Sequence, residues 1–262
     1  MTVLTRSVRV VEAELVNYRR TWRGTVISSF VNPILFLSSL GIGLGTFVDS
    51  STADLGMPYL TFVATGLVAA SAMQAGASDG SFPVMAGIKW RKEFYATITT
   101  PLGPADIVYG RFLWAAIRLT FILVVFVVIS ALFGALDWRS ALLAVPPGVL
   151  TGLAFVTCTT AFTVTRENET SLSTLFRFGI TPLFLFSGTF FPISQLPSYL
   201  KPIAYATPLF HGVELVRKVS IPGVDERVVT SLPAWVSAAY LVAMTVIGMV
   251  MATRWLDRRI RP

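Results

Sequence analysis

The chain has 262 residues, 54% of them hydrophobic and only 13% charged, against roughly a quarter charged in an average soluble domain. Its formal charge of +7 invites comparison with nucleic-acid-binding proteins, but the basic residues sit between long apolar runs, which points to membrane topology and lipid-headgroup contact and not to nucleic acid. One cysteine, Cys158, and one histidine, His211, exclude an intrachain disulfide and a zinc site built from several cysteines and histidines.

The first 23 residues carry five arginines and two glutamates, and the apolar run after them is too long for a signal-peptide core, so no cleaved leader is expected. Within residues 1–22, Leu4, Val8, Val11, Leu15 and Tyr18 recur at spacings of four and three, with Arg6, Arg9, Asn17 and Arg20 on other faces. This pattern predicts an amphipathic helix on the membrane surface, serving as an anchor or also resting on a partner.

A helix rises about 1.5 Å per residue, so about 20 apolar residues are needed to cross the hydrocarbon core. Four charge-free windows of that length and two windows with one arginine each, Arg118 and Arg177, predict an all-α membrane protein of six transmembrane helices. The spans are placed at 24–48, 57–80, 110–134, 141–165, 171–191 and 233–254, in a single membrane domain covering 1–262. With six spans, 16 of the 21 lysines and arginines fall on the side of the termini and 5 on the other, so both termini are expected in the cytoplasm.

The loop 89–104 on the terminal side begins with Lys89, Trp90, Arg91 and Lys92, continues through Glu93, Phe94, Tyr95, Thr97, Ile98 and Thr100, and is closed by Pro101 and Pro104. A short helix fits there, and Phe94, Tyr95 and Ile98 are expected to be exposed apolar groups unless a partner covers them. Arg118 lies about 10 Å inside the third span. It either snorkels back to the interface or forms an ion pair facing a subunit interface or pathway.

Prolines at 192, 197, 202 and 208 leave no room for an unbroken spanning helix over 191–214, although the stretch is apolar. A re-entrant hairpin of two short helices on the external side is expected, since irregular backbone at membrane depth must be shielded. Catalytic motifs are missing: there is no G-x-x-x-x-G-K-[ST] sequence and no H-E-x-x-H. A hydrolase pairing His211 with Ser187 or Ser194 has no G-x-S-x-G loop around either serine.

The segments Phe186-Ser187-Gly188-Thr189-Phe190-Phe191-Pro192 and Thr207-Pro208-Leu209-Phe210-His211-Gly212-Val213-Glu214 resemble the signature of ABC-2 type transporter permeases, most closely the nodulation-factor, antibiotic and polysaccharide exporter branch. Thr100-Pro101-Leu102 and Asp106 to Gly110 stand where that family keeps its coupling loop. The resemblance implies an exporter in a bacterial plasma membrane, built from two permeases, alike or related, and two separate ATPase subunits. The partner ATPases would bind ATP and Mg, and the chain itself would hold no cofactor. It also implies ATPase docking at Glu93, Phe94, Tyr95, Thr97, Ile98, Thr100 and Pro101. The external hairpin would take in Gly188, Phe190, Phe191, Pro192, Pro208, His211 and Glu214, with Gly188 permitting a bend and Phe190, Phe191 and Pro192 forming a gate. An autonomous secondary carrier or channel is the alternative. The cargo would be amphipathic or lipid-linked: a drug, a lipid or a glycan.

Overall fold

A computed structural model describes residues 3–44, 56–221, 223, 224 and 228–261. Among these residues the regular backbone is entirely helical. α1, Val3–Phe36, continues as a π-helical stretch Leu37–Leu44, and α2 is Tyr59–Asp79. α3, Phe82–Met85, is prolonged by a π-helical turn Ala86–Trp90, and α4 is the short helix Glu93–Ile98. α5 is Pro104–Leu132 and α6 is Trp138–Val164. α7, Thr170–Leu175, passes through a π-helical turn Phe176–Ile180 into α8, Thr181–Phe186. α9, Lys201–Ala206, and α10, Pro208–Ser220, precede α11, Ala234–Ile260.

Four stretches among the described residues are long and apolar enough to cross a bilayer: Tyr59–Trp90, Pro104–Leu132, Trp138–Val164 and Ala234–Ile260. Local chemistry sets where they begin. Pro104 opens α5, where its missing N–H costs nothing, and the Asp106 carboxylate accepts from the Gly103 N–H at 2.8 Å. α6 begins at Asp137, whose side chain accepts from the Ser140 N–H at 3.2 Å and its hydroxyl at 2.5 Å.

α6 is the centre of the bundle and packs on α2, α5, α10 and α11. Apolar burial drives helices together only weakly in lipid, so contact depends on small residues that let backbones approach closely. A side chain at Gly76 of α2 would overlap the carbonyl of Gly152 in α6, and one at Gly248 of α11 would lie 2.6 Å from the Thr157 hydroxyl. Ala64, Ala69, Ala70 and Ala72, on different faces of α2, are fully buried. The stretch from α7 to α8 lies at the margin, where Phe184 meets Phe36 edge-on at 6.1 Å while Phe178 is 72% exposed.

Several expected boundaries change. Helical structure is continuous from Val3 to Leu44, so no helix ends between the surface segment at 1–22 and the span at 24–48. The end of that span, 45–48, lies outside the described residues, as does Arg227 of the charge count. The expected apolar face of the first segment also divides. Ser7 and Val11 are buried, Glu14 and Tyr18 partly so, and this stripe lies along α5, whereas Val8 and Leu15 are each 48% exposed. α5 begins at Pro104, ahead of the span placed at 110–134, with Asp106 in its first turn. The helix expected to 191 stops at Phe186, and the second hairpin helix runs to Ser220 and not to 214.

Candidate coupling surface, intramembrane ion pair and hairpin

The residues singled out in the sequence fall at three places: the loop carrying α4, the middle of α5, and the hairpin that begins at Ser187.

At the loop, Lys92 takes a left-handed conformation, φ 52°, and reverses the chain into α4. The Thr97 hydroxyl donates to the Glu93 carbonyl at 2.8 Å, the Thr100 hydroxyl donates to the Thr97 carbonyl at 2.6 Å, and Arg91 meets the Glu93 carboxylate at 2.9 Å. Tyr95, Thr100 and Pro101 are exposed, and Ile98 is half-buried. Phe94 differs from expectation: it is 4% exposed and packs with Ile88, Ile107 and Leu256 of its own chain. Gly87 makes this possible, since a Cβ there would come within 2.6 Å of the Phe94 ring. The Arg111 guanidinium of α5 stands 5.7 Å from the ring centroid, and Arg111 also pairs with Glu14 of α1 at 2.5 Å. Phe94 therefore joins the loop to α5 and, through Arg111, to α1. Neighbouring Trp90 donates its indole N–H to Glu169 at 3.1 Å, tying this end to the turn before α7.

In the middle of α5, Arg118 forms an ion pair with Asp79 at the end of α2. Both residues line a cavity of about 440 Å³ that Glu14 and Arg111 also reach. The partners stand 39 positions apart, and the spacing of charges gave no signal that they would meet.

At the hairpin, Gly188 has φ +84°, a conformation that side chains disfavour, and lets the chain turn out of α8. Phe190 packs edge-on against Phe184 at 5.0 Å, and its carbonyl accepts from the Tyr59 hydroxyl at 3.3 Å. Phe191 joins Ile193, Leu196 and Phe210 in a small apolar cluster beside the buried Pro192. Pro208 opens α10, and Thr207 before it accepts from the Phe210 N–H at 3.4 Å. α10 packs on α2, α6 and α11.

His211 stacks on Tyr240 at 4.1 Å and its Nδ1 lies 3.2 Å from the Ser237 hydroxyl. Ser187 instead bonds Thr207 at 3.0 Å, so the serine and histidine of the hydrolase reading are not paired; the side chain of Ser194 lies outside the described residues. Glu214 accepts from the Thr230 N–H and hydroxyl, both at 2.7 Å, and pairs with Lys218 at 2.6 Å. Sequence reasoning counted Arg217 only as a charge at this end. It is 2% exposed, donates to the Phe62 carbonyl at 3.1 Å, and lies 3.9 Å from the Phe62 ring centroid. Its position on the inner face of α10, one turn after Val213, was the available signal.

These features define the class: an integral membrane protein of closely packed apolar helices, joined by a structured loop carrying α4 and by the short helices α9 and α10. Residues 8–221 match the family model described as ABC-2 type transporter, and the chain belongs to that family. It is similar to Nodulation protein J of Sinorhizobium fredii (strain NBRC 101917 / NGR234), 32% identical over 196 residues that cover 74% of this chain and 72% of the relative. It is also similar to Nodulation protein J of Rhizobium meliloti (strain 1021), 28% identical over 94% of this chain and 90% of the relative. Inner membrane transport permease YadH of Escherichia coli (strain K12) is 21% identical over 89% of this chain and 91% of that protein.

Proposed function

We propose that the chain is the transmembrane permease subunit of an ATP-driven exporter in a bacterial plasma membrane, one domain crossing six times with both termini in the cytoplasm. Two separate ATPase subunits supply ATP and Mg chemistry, and a second permease, identical or related, completes the pathway. The family match over 8–221 is the observation that carries this reading.

The geometry adds a route for force. Tyr95, Thr100 and Pro101 offer an exposed surface to an ATPase, while Phe94 turns inward onto Arg111. Movement of α4 would displace α5 through that ring, and α1 through the Arg111–Glu14 pair. Energy released outside the chain reaches the membrane helices by this packed contact. Cargo would leave between the two permeases, past Phe190 and Phe191 of the hairpin. Its class is amphipathic or lipid-linked.

The test is to purify the intact complex from its native membrane and identify its subunits by mass spectrometry. Equal amounts of this chain and an ATPase bearing a phosphate-cradling loop are expected. Solute transport by the chain alone in liposomes, with no ATPase present, would favour the secondary carrier and refute the pump.

A further inference from the structure

A cavity of about 250 Å³ lies inside the hairpin, between the turn at Gly188, α9, α10 and the segment 228–231 ahead of α11. Apolar side chains such as Ile193, Phe210 and Val213 form part of its wall, so a charge inside it is screened less than at an open surface.

Two buried charged residues line this cavity, Glu214 and Arg217, each 2% exposed. Glu214 is matched by Lys218 at 2.6 Å and takes two further hydrogen bonds from Thr230. Among the described residues Arg217 forms no ion pair. Its Nε donates to the Thr65 hydroxyl at 3.4 Å, its Nη2 to the Phe62 carbonyl at 3.1 Å, and the guanidinium rests on the Phe62 ring. These partners are all neutral, and among the described residues Nη1 has no partner. Arg217 and Lys218 set against Glu214 leave one positive charge over. A buried cation without a counter-ion is costly, and an anion that reaches it offsets that cost.

Other donors open onto the same space. The exposed residues Tyr205 and Ser231 line the cavity, and among the described residues their hydroxyls make no hydrogen bond. A carboxylate suits this set, because its two oxygens can take a guanidinium N–H and a hydroxyl together, whereas a halide offers one centre. The single excess charge matches one carboxylate. Glu214, which would repel it, is neutralised by Lys218.

We propose that the hairpin cavity binds one small monovalent carboxylate from solution, held by Arg217 Nη1 and the Tyr205 and Ser231 hydroxyls. The bound anion ties α9, α10 and the segment before α11 together and steadies the hairpin. The site does not depend on the permease reading.

The test is thermal melting of the purified full chain in detergent at neutral pH, with sodium acetate exchanged for sodium chloride at constant ionic strength. Acetate is expected to raise the melting temperature along a saturating curve, as a ligand of the folded state does. The double variant Tyr205→Phe, Ser231→Ala removes two hydroxyls from exposed positions and leaves the packing of Arg217 intact. It is expected to melt like wild type in chloride and to need at least fivefold more acetate for half the shift. Arg217→Gln is expected to lose the acetate shift; should it fail to fold, the double variant decides. Equal melting in the two salts, or the wild-type acetate curve in either variant, overturns the proposal. So does a rise that grows with acetate and never saturates, which reports exclusion of the salt from the protein surface.

Discussion

Replacing Phe94 with alanine separates docking of the partner from transmission of force. The ring is 4% exposed, and truncating a buried phenylalanine costs about 3–5 kcal/mol. Among the described residues α4 packs chiefly on the turn Ala86–Trp90 and the start of α5, with Phe94 also reaching Leu256 of α11, so the loss falls first on seating of the loop. A cost of about 3 kcal/mol raises the unseated population roughly a hundredfold, since about 1.4 kcal/mol is tenfold. Hydrogen exchange reads this directly, because local opening sets amide protection. The amides of 93–98 in Phe94→Ala are expected to lose about a hundredfold in protection, with α6 unchanged. ATPase copurification is expected to persist through Tyr95, Thr100 and Pro101, while export falls to background. Wild-type export from a chain whose loop exchanges freely would refute transmission through this ring.

The seam between α2 and α6 is expected to reject Gly76→Ala by about 3 kcal/mol, at the upper end for overpacking, because the obstacle is the Gly152 backbone and no rotamer change relieves it; unchanged melting in detergent would count against the close approach. Arg217→Lys keeps the charge but loses the planar group over Phe62, and is expected to cost about 1.5–3 kcal/mol, read as a lower melting temperature. The Ser140 hydroxyl and N–H hold the Asp137 carboxyl below its ordinary range, so its capping contribution is complete above the unfolded value of about 3.9 and is lost as pH falls through the folded value. The melting difference between wild type and Asp137→Asn should shrink on acidification, and a constant difference would deny the cap. In a Cys158→Ser background, Phe191→Cys is expected to react with a membrane-impermeant thiol reagent in one nucleotide state of the complex; protection in every state would remove Phe191 from the gate.

The helical class and the main spans were legible because continuous hydrophobicity over spanning length is a local property. Proline spacing likewise revealed that 191–214 holds no unbroken helix, and Gly188 marked the turn into it. Boundaries were less legible where charged and apolar residues share a helix: α1 carries five arginines through residue 23 and remains unbroken, because its stripe from Ser7 to Tyr18 packs on α5. The pairs that organise the interior, Glu14 with Arg111 and Asp79 with Arg118, join positions 97 and 39 apart, and only the packed bundle brings them together. Phe94 was found as an unusual loop aromatic, but its inward direction depends on Gly87 having no side chain.

The most direct test of the coupling surface is a photo-reactive amino acid placed at Tyr95, 38% exposed on α4, in cells producing the complete complex. A control at Tyr199, 74% exposed near the hairpin, reports the opposite end of the chain. Illumination is expected to join Tyr95 to an ATPase subunit and Tyr199 to none. An ATPase adduct at Tyr199 with none at Tyr95, in cells that still export, would contradict both the orientation and the coupling role of the loop.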